Sequence, residues 1–171
     1  METIEKSVEV LNDLIEINND RIAGFEKAGT DLGEGDTDLK IIFNNMVEES
    51  RRNVQELTQA VGQIGGEAEQ GTSSSGAIHR AWIDVKATFG GNGRESILAE
   101  CERGEDAIKK AYKDALTTEN GLPPEVDRIV AASRKGLSRH TIKLNSCVTI
   151  RPNYLANFLL TKPSGLLGWL F

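Results

Sequence analysis

Residues 65–92 read "GGEAEQGTSSSGAIHRAWIDVKATFGGN", and the way this stretch is spanned decides the fold. Long segments with a helical apolar rhythm lie on both sides of it. A tight turn between two such segments would fold them back antiparallel. A connection of 28 residues that contains a helix-like piece can instead run the length of a bundle, about 40 Å at 1.5 Å per helical residue. Its first half is rich in Gly and Ser and flexible by composition. Its second half, "AIHRAWIDVKATF" (77–89), predicts a short helix pinned by Trp82 and Phe89 and closed by "GGNG".

Upstream, residues 3–28 place Ile4, Val8, Leu11, Ile15, Ile22 and Phe25 at steps of three and four, with Thr3 as cap and Gly29 as stop. The short link "GTDLGEGD" (29–36) then predicts an antiparallel hairpin with a second helix, which opens at Asp36 or Thr37 and closes at Gly65-Gly66. Leu39, Phe43, Met46, Leu57, Val61 and Ile64 form its stripe. Downstream, a third helix is expected over 93–118, and Pro123-Pro124 open a fourth that carries Val126, Ile129, Leu137 and Leu144 to about residue 147. There is no strand-like alternation and no fixed-period repeat. Two antiparallel hairpins joined by a long crossover make an all-α, ferritin-like four-helix bundle, with an ordinary up-down bundle as the alternative. The expected organisation is a bundle over 1–147 and an apolar extension over 148–171.

The totals agree with one helical domain. At 171 residues and 39% hydrophobic the chain can bury a core, and 5% aromatics argue against a large β-sandwich. Cys101 and Cys147 lie far apart, and "METIEKSVEV" lacks a signal-like pattern, so reduced thiols and a cytoplasmic setting are expected. The net charge of -6 is unevenly spread: all 26 acids lie at or before Asp127, while Arg128, Arg134, Lys135, Arg139, Lys143, Arg151 and Lys162 follow unopposed.

The chemistry-bearing candidate is Glu105, which sits on the apolar stripe of the third helix formed by Ile97, Cys101, Ile108, Tyr112 and Ala115. A carboxylate facing a core must be paired, protonated or coordinated. Counting from each turn puts Glu105 level with Ser50, with Asn18 and Asn19, and with Gly136 and Leu137; His140 follows one turn later. Asn18, Asn19, Glu49, Ser50, Asn53, Glu102, Glu105, Tyr112 and His140 therefore gather in one middle zone. A carboxylate-bridged di-iron centre needs a Glu from each of two helices and Glu-x-x-His from each of the other two. No Glu-x-x-His occurs anywhere in the chain, so a standard ferroxidase site cannot be assembled from it. The candidate ligand set for iron or another divalent metal is reduced to Glu49, Glu102, Glu105 and His140. The structural readings stand beside it: a hydrogen bond between Glu105 and His140, register-fixing by Asn18 and Asn53, and a Tyr112 hydroxyl directed to a carboxylate.

The segments "VLNDLIEINNDRIAGFEKA", "RAWIDVKATF", "CERGEDAIKKAYKDAL" and "LPPEV", in this order, resemble a bacterial ferritin-like four-helix-bundle family of unknown function. The resemblance covers most of residues 8–145. It implies the ferritin-like fold, a bacterial cytosolic protein and incomplete metal ligands, and it carries no established reaction.

The resemblance fades near residue 146. "CVTIRPNYLANFLLTKPSGLLGWLF" (147–171) has two apolar bursts, each far short of the roughly 20 residues that span a membrane. Association in a homo-oligomer or larger protein assembly through 148–171 is the leading expectation, ahead of a membrane surface. Phosphate loops, Cys-x-x-Cys pairs and Ser/His/Asp arrangements do not stand out, and the acidic first three helices argue against nucleic-acid binding. The chain is thus expected to act through assembly or weak metal binding rather than ferroxidase chemistry. The alternative is an atypical iron-dependent oxidase or a metal-storage protein.

Overall fold

The computed structural model describes residues 2–69, 93–117 and 121–138, and among these every regular element is a helix. They are α1 (Glu2–Asp31), α2 (Thr37–Gln63), α3 (Arg94–Ala115) and α4 over residues 124–138. The expected short helix at 77–89, the continuation of the fourth helix past 138, His140, Cys147 and the extension at 148–171 lie outside the described residues.

α1 does not stop at Gly29 but runs to Asp31. A glycine inside a helix costs about 1 kcal/mol against alanine. The extra turn offsets this by burying Leu32 beside Ala28, whose carbonyl accepts the Leu32 N–H at 3.2 Å. α2 does end at its glycines. Gly65 adopts a φ of 81°, its N–H donates to Gly62 O at 3.1 Å, and the Gly66 N–H reaches back to Val61 O at 2.9 Å. That is a Schellman closure, which needs the left-handed conformation a glycine adopts without strain. α4 opens on its proline pair, with the Pro123 carbonyl accepting the Asp127 N–H at 2.9 Å.

The start of α3 fixes the topology. Arg94 donates to Asp36 Oδ1 at 2.6 Å and forks onto both oxygens of Asp38 at 3.0 and 2.7 Å, so α3 begins beside the α1–α2 turn. α2 ends at the opposite end of the bundle. α3 must then run parallel to α2.

Among the described residues the buried apolar side chains form two clusters. One joins Leu11, Leu14, Leu57, Ile108, Val126 and Val130 toward the start of α1; the other joins Phe25, Leu39, Phe43, Met46 and Ile97 toward the α1–α2 turn. A layer of buried polar groups lies between them.

A buried ion-pair layer as the candidate functional site

The centre of this layer is Arg21, which is fully buried. It falls on the inward stripe of α1 between Ile17 and Phe25, four residues from each, so the helix leaves its guanidinium no route to water. Its Nε donates to Glu105 Oε1 at 2.5 Å and its Nη2 to Glu105 Oε2 at 3.2 Å, a side-on fork onto α3. Nη1 reaches α2, meeting Ser50 Oγ at 2.8 Å, the Met46 carbonyl at 3.2 Å and Glu49 Oε2 at 3.3 Å. The guanidinium carbon lies 5.2 Å from the centre of the Phe25 ring. Burial works against the Arg21 charge, but the Glu105 and Glu49 carboxylates outweigh it and hold its pKa above the ordinary guanidinium value.

α4 enters the layer through a glycine. A Cβ at Gly136 would stand 2.8 Å from Glu49 Oε1, so the absence of a side chain there lets the carboxylate lie against the helix backbone. About one turn away, Asn18 Nδ2 donates to the Leu14 carbonyl at 2.7 Å and to the Tyr112 hydroxyl at 2.8 Å, and Asn53 Nδ2 donates to Asn18 Oδ1 at 3.4 Å. Burial, the largest influence, pushes the Tyr112 hydroxyl up, while its hydrogen bond with Asn18 and the nearby Arg21 charge act in the opposite direction. The Cys101 thiol is likewise pushed up by burial and then by Glu105, which keeps it a neutral core side chain.

The structure thus brings Glu105, Glu49, Ser50, Asn18, Asn53 and Tyr112 to one zone. Glu49, one of the candidate ligands, is 5% exposed. The Tyr112 hydroxyl meets an amide rather than a carboxylate, because Glu105 is already engaged by Arg21. Glu102 is half-buried one turn before Glu105, and among the described residues no hydrogen bond joins it to the layer. His140 lies outside the described residues. The residue missed by sequence reasoning is Arg21, and its signal was its place on the stripe of Leu14, Ile17, Phe25 and Ala28.

This donor set does not fit a di-iron centre. Such a centre needs several carboxylates and imidazoles converging on one space. Here Glu105 and Glu49 converge on a guanidinium, whose fixed positive charge repels a dication and whose fork takes both Glu105 oxygens. Among the described residues no group of three or more His, Cys, Asp and Glu is arranged to hold a metal ion. No helix among them is long and apolar enough to cross a membrane.

Solved structures share the fold at low sequence identity. A point mutant of Dps1 from Mycobacterium smegmatis superposes with a TM-score of 0.71 at 9% identity, covering 86% of this chain and 97% of that one. A ferritin-like, diiron-carboxylate protein from Bacillus anthracis str. Ames superposes with a TM-score of 0.64 at 14% identity, covering 87% of this chain and 99% of that one. These likenesses establish a ferritin-like four-helix bundle. No curated protein matches the sequence. The family described as "Domain of unknown function (DUF2383)" matches residues 6–118, most of the chain, and the protein with its Arg21-centred layer belongs to that family.

Proposed function

We propose that this chain is a ferritin-like bundle protein that acts through assembly, with its central polar layer holding the helices together in place of ferroxidase chemistry. One observation carries the reading: Arg21 occupies the centre on which Glu49 and Glu105 converge. A dication could use these carboxylates only if Arg21 withdrew, which would strand a buried charge at a cost of about 3–5 kcal/mol. Iron, if the protein meets it in the cell, is then not held by this layer. The assembly element is residues 148–171, whose Leu166, Leu167, Trp169, Leu170 and Phe171 would each contribute on the order of 1.5–3 kcal/mol when buried against a partner. A neutral, buried Cys101 suits a reducing cytoplasm.

The test is elemental analysis of full-length protein purified without chelator, together with oxygen uptake on adding ferrous iron. Less than about a tenth of an equivalent of metal and uptake at the buffer rate are expected. A full equivalent, or ferroxidase-like uptake, overturns the reading in favour of an iron-dependent oxidase using Glu49, Glu102, Glu105 and His140. Assembly is tested separately by Leu167→Asp with Trp169→Asp in the full chain. Helical circular dichroism should persist while the particle size falls; an unchanged size removes the association role from this segment, and flotation of the unaltered protein with liposomes would reassign it to a membrane surface.

A further inference from the structure

The segment that leaves α2 turns back onto the start of α1 and walls a cleft there. Gly66 lies so close to Val8 that a Cβ there would collide with the valine methyls. Asn12 of α1, 7% exposed, ties the wall at two points: its Nδ2 donates to the Glu67 carbonyl at 3.1 Å, and its Oδ1 accepts the Glu69 N–H at 3.1 Å. The cleft between wall and helix holds about 390 Å³. Ile4 and Val8 supply its apolar lining, and Ile4 is left 47% exposed. Every charged residue that lines it is an acid: Glu5 and Glu9 from α1 and Glu69 from the wall, all exposed.

A preformed cleft with an apolar lining and an acidic rim fits an apolar segment flanked by cations. The chain carries one. Residues 154–160, "YLANFLL", are bracketed by Arg151-Pro152 on one side and Lys162-Pro163 on the other, and no acid follows Asp127 to offset those charges. The chain's own cleft does not lie in the path of α4. That helix sets Val126 and Val130 in the cluster with Leu11 and Leu14, toward the start of α1, and reaches the Arg21 layer at Gly136, against Glu49. At residue 138 it is heading away from the cleft.

We propose that this cleft is the dock for residues 154–160 of a second copy of the chain, whose Arg151 and Lys162 meet the rim of Glu5, Glu9 and Glu69. The proposal rests on the reading that residues 148–171 drive assembly, and it names the surface they meet. Burial of apolar side chains such as Leu155 and Phe158 against Ile4 and Val8 supplies affinity, and the opposed charges fix which surface is chosen. Each copy gives a segment and receives one. The Asn12 ties hold the wall in place before the segment arrives, so docking does not have to order it.

The test is a charge swap in the full chain, read as particle size against concentration by sedimentation. Glu5→Lys with Glu9→Lys, at exposed positions of α1, should keep the helical circular dichroism and weaken association about tenfold or more. Arg151→Glu with Lys162→Glu should do the same. An equimolar mixture of the two variants should associate like the unaltered protein, because the reversed segment fits the reversed cleft and the original segment the original cleft. Undiminished association of the cleft variant overturns the proposal, as does a mixture no better than its components, the result expected if each segment docked on its own chain. Leu167→Asp with Trp169→Asp separates the two levels. If that variant shrinks the particle while the cleft variant does not, assembly through 148–171 stands and the cleft is not its surface; if every variant keeps the original size, the assembly reading fails as well.

Discussion

A guanidinium out of water is costly unless its donors find acceptors and its charge finds a counter-charge. Arg21 meets both conditions with groups from two other helices. Arg21→Met would leave Glu49 and Glu105 buried and facing each other, and should cost about 3–5 kcal/mol by urea unfolding at neutral pH. Glu105→Gln should cost less, about 1.5–3 kcal/mol, because Glu49 still balances the charge and the amide oxygen still accepts. The reverse order would mean that the ion pair with Arg21 is not what makes Glu105 matter to stability. Half of this site was legible in the sequence. Glu105 stood out as an acid on an apolar stripe, and counting from the turns reached Ser50 and Gly136. Arg21 escaped because it sits in "INNDRIAG", where polar neighbours hide the stripe and a long side chain ordinarily extends to solvent.

The helix ends show the same division between what a sequence states and what packing decides. Gly65 closes α2 as its position suggested, because the left-handed turn is a local need. Gly29 does not close α1, because burial of Leu32 is a tertiary gain invisible to local punctuation. α3 starts on Gly93 without a side-chain cap, and its first turn carries Arg94 next to Glu95. The ties from Arg94 to Asp36 and Asp38 compensate and dock this end against the neighbouring hairpin. The Arg94 hydrogen bond, the largest influence, lowers the Asp38 pKa below its ordinary 3.8. A lowered carboxyl pKa adds stability above 3.8 that is lost as pH falls through the folded value. Asp38 is more than half exposed, so the contribution is screened to less than about 1 kcal/mol. Asp38→Asn should therefore be slightly less stable than the unaltered protein at pH ~7 and equal to it near pH ~2.5, by urea midpoints. A difference that persists in acid would assign the effect to packing.

Over the whole molecule, the parallel course of α2 and α3 was legible because 28 residues between two helical stripes are too many for a tight turn. The division of the core was not, since two apolar clusters on continuous stripes look the same in sequence as one. What separates them is the Arg21 layer, the place where charge rather than apolar surface joins α1 to α2 and α3. Buried ion pairs contribute little net stability against well-packed apolar side chains of similar volume, although breaking one is severe. Replacing the layer as a unit, with Arg21→Met, Glu49→Leu and Glu105→Leu together, should join the clusters into one apolar core. The triple variant should recover the loss caused by Arg21→Met and match or exceed the unaltered protein by about 1–4 kcal/mol in urea. If the layer also fixes helix register, the same variant should show exchange-broadened amide signals in α1 and α3 that the unaltered protein lacks. A triple variant less stable than Arg21→Met alone would mean that these side chains pack in a way no apolar set reproduces, and that charge neutralisation is not what the layer is for.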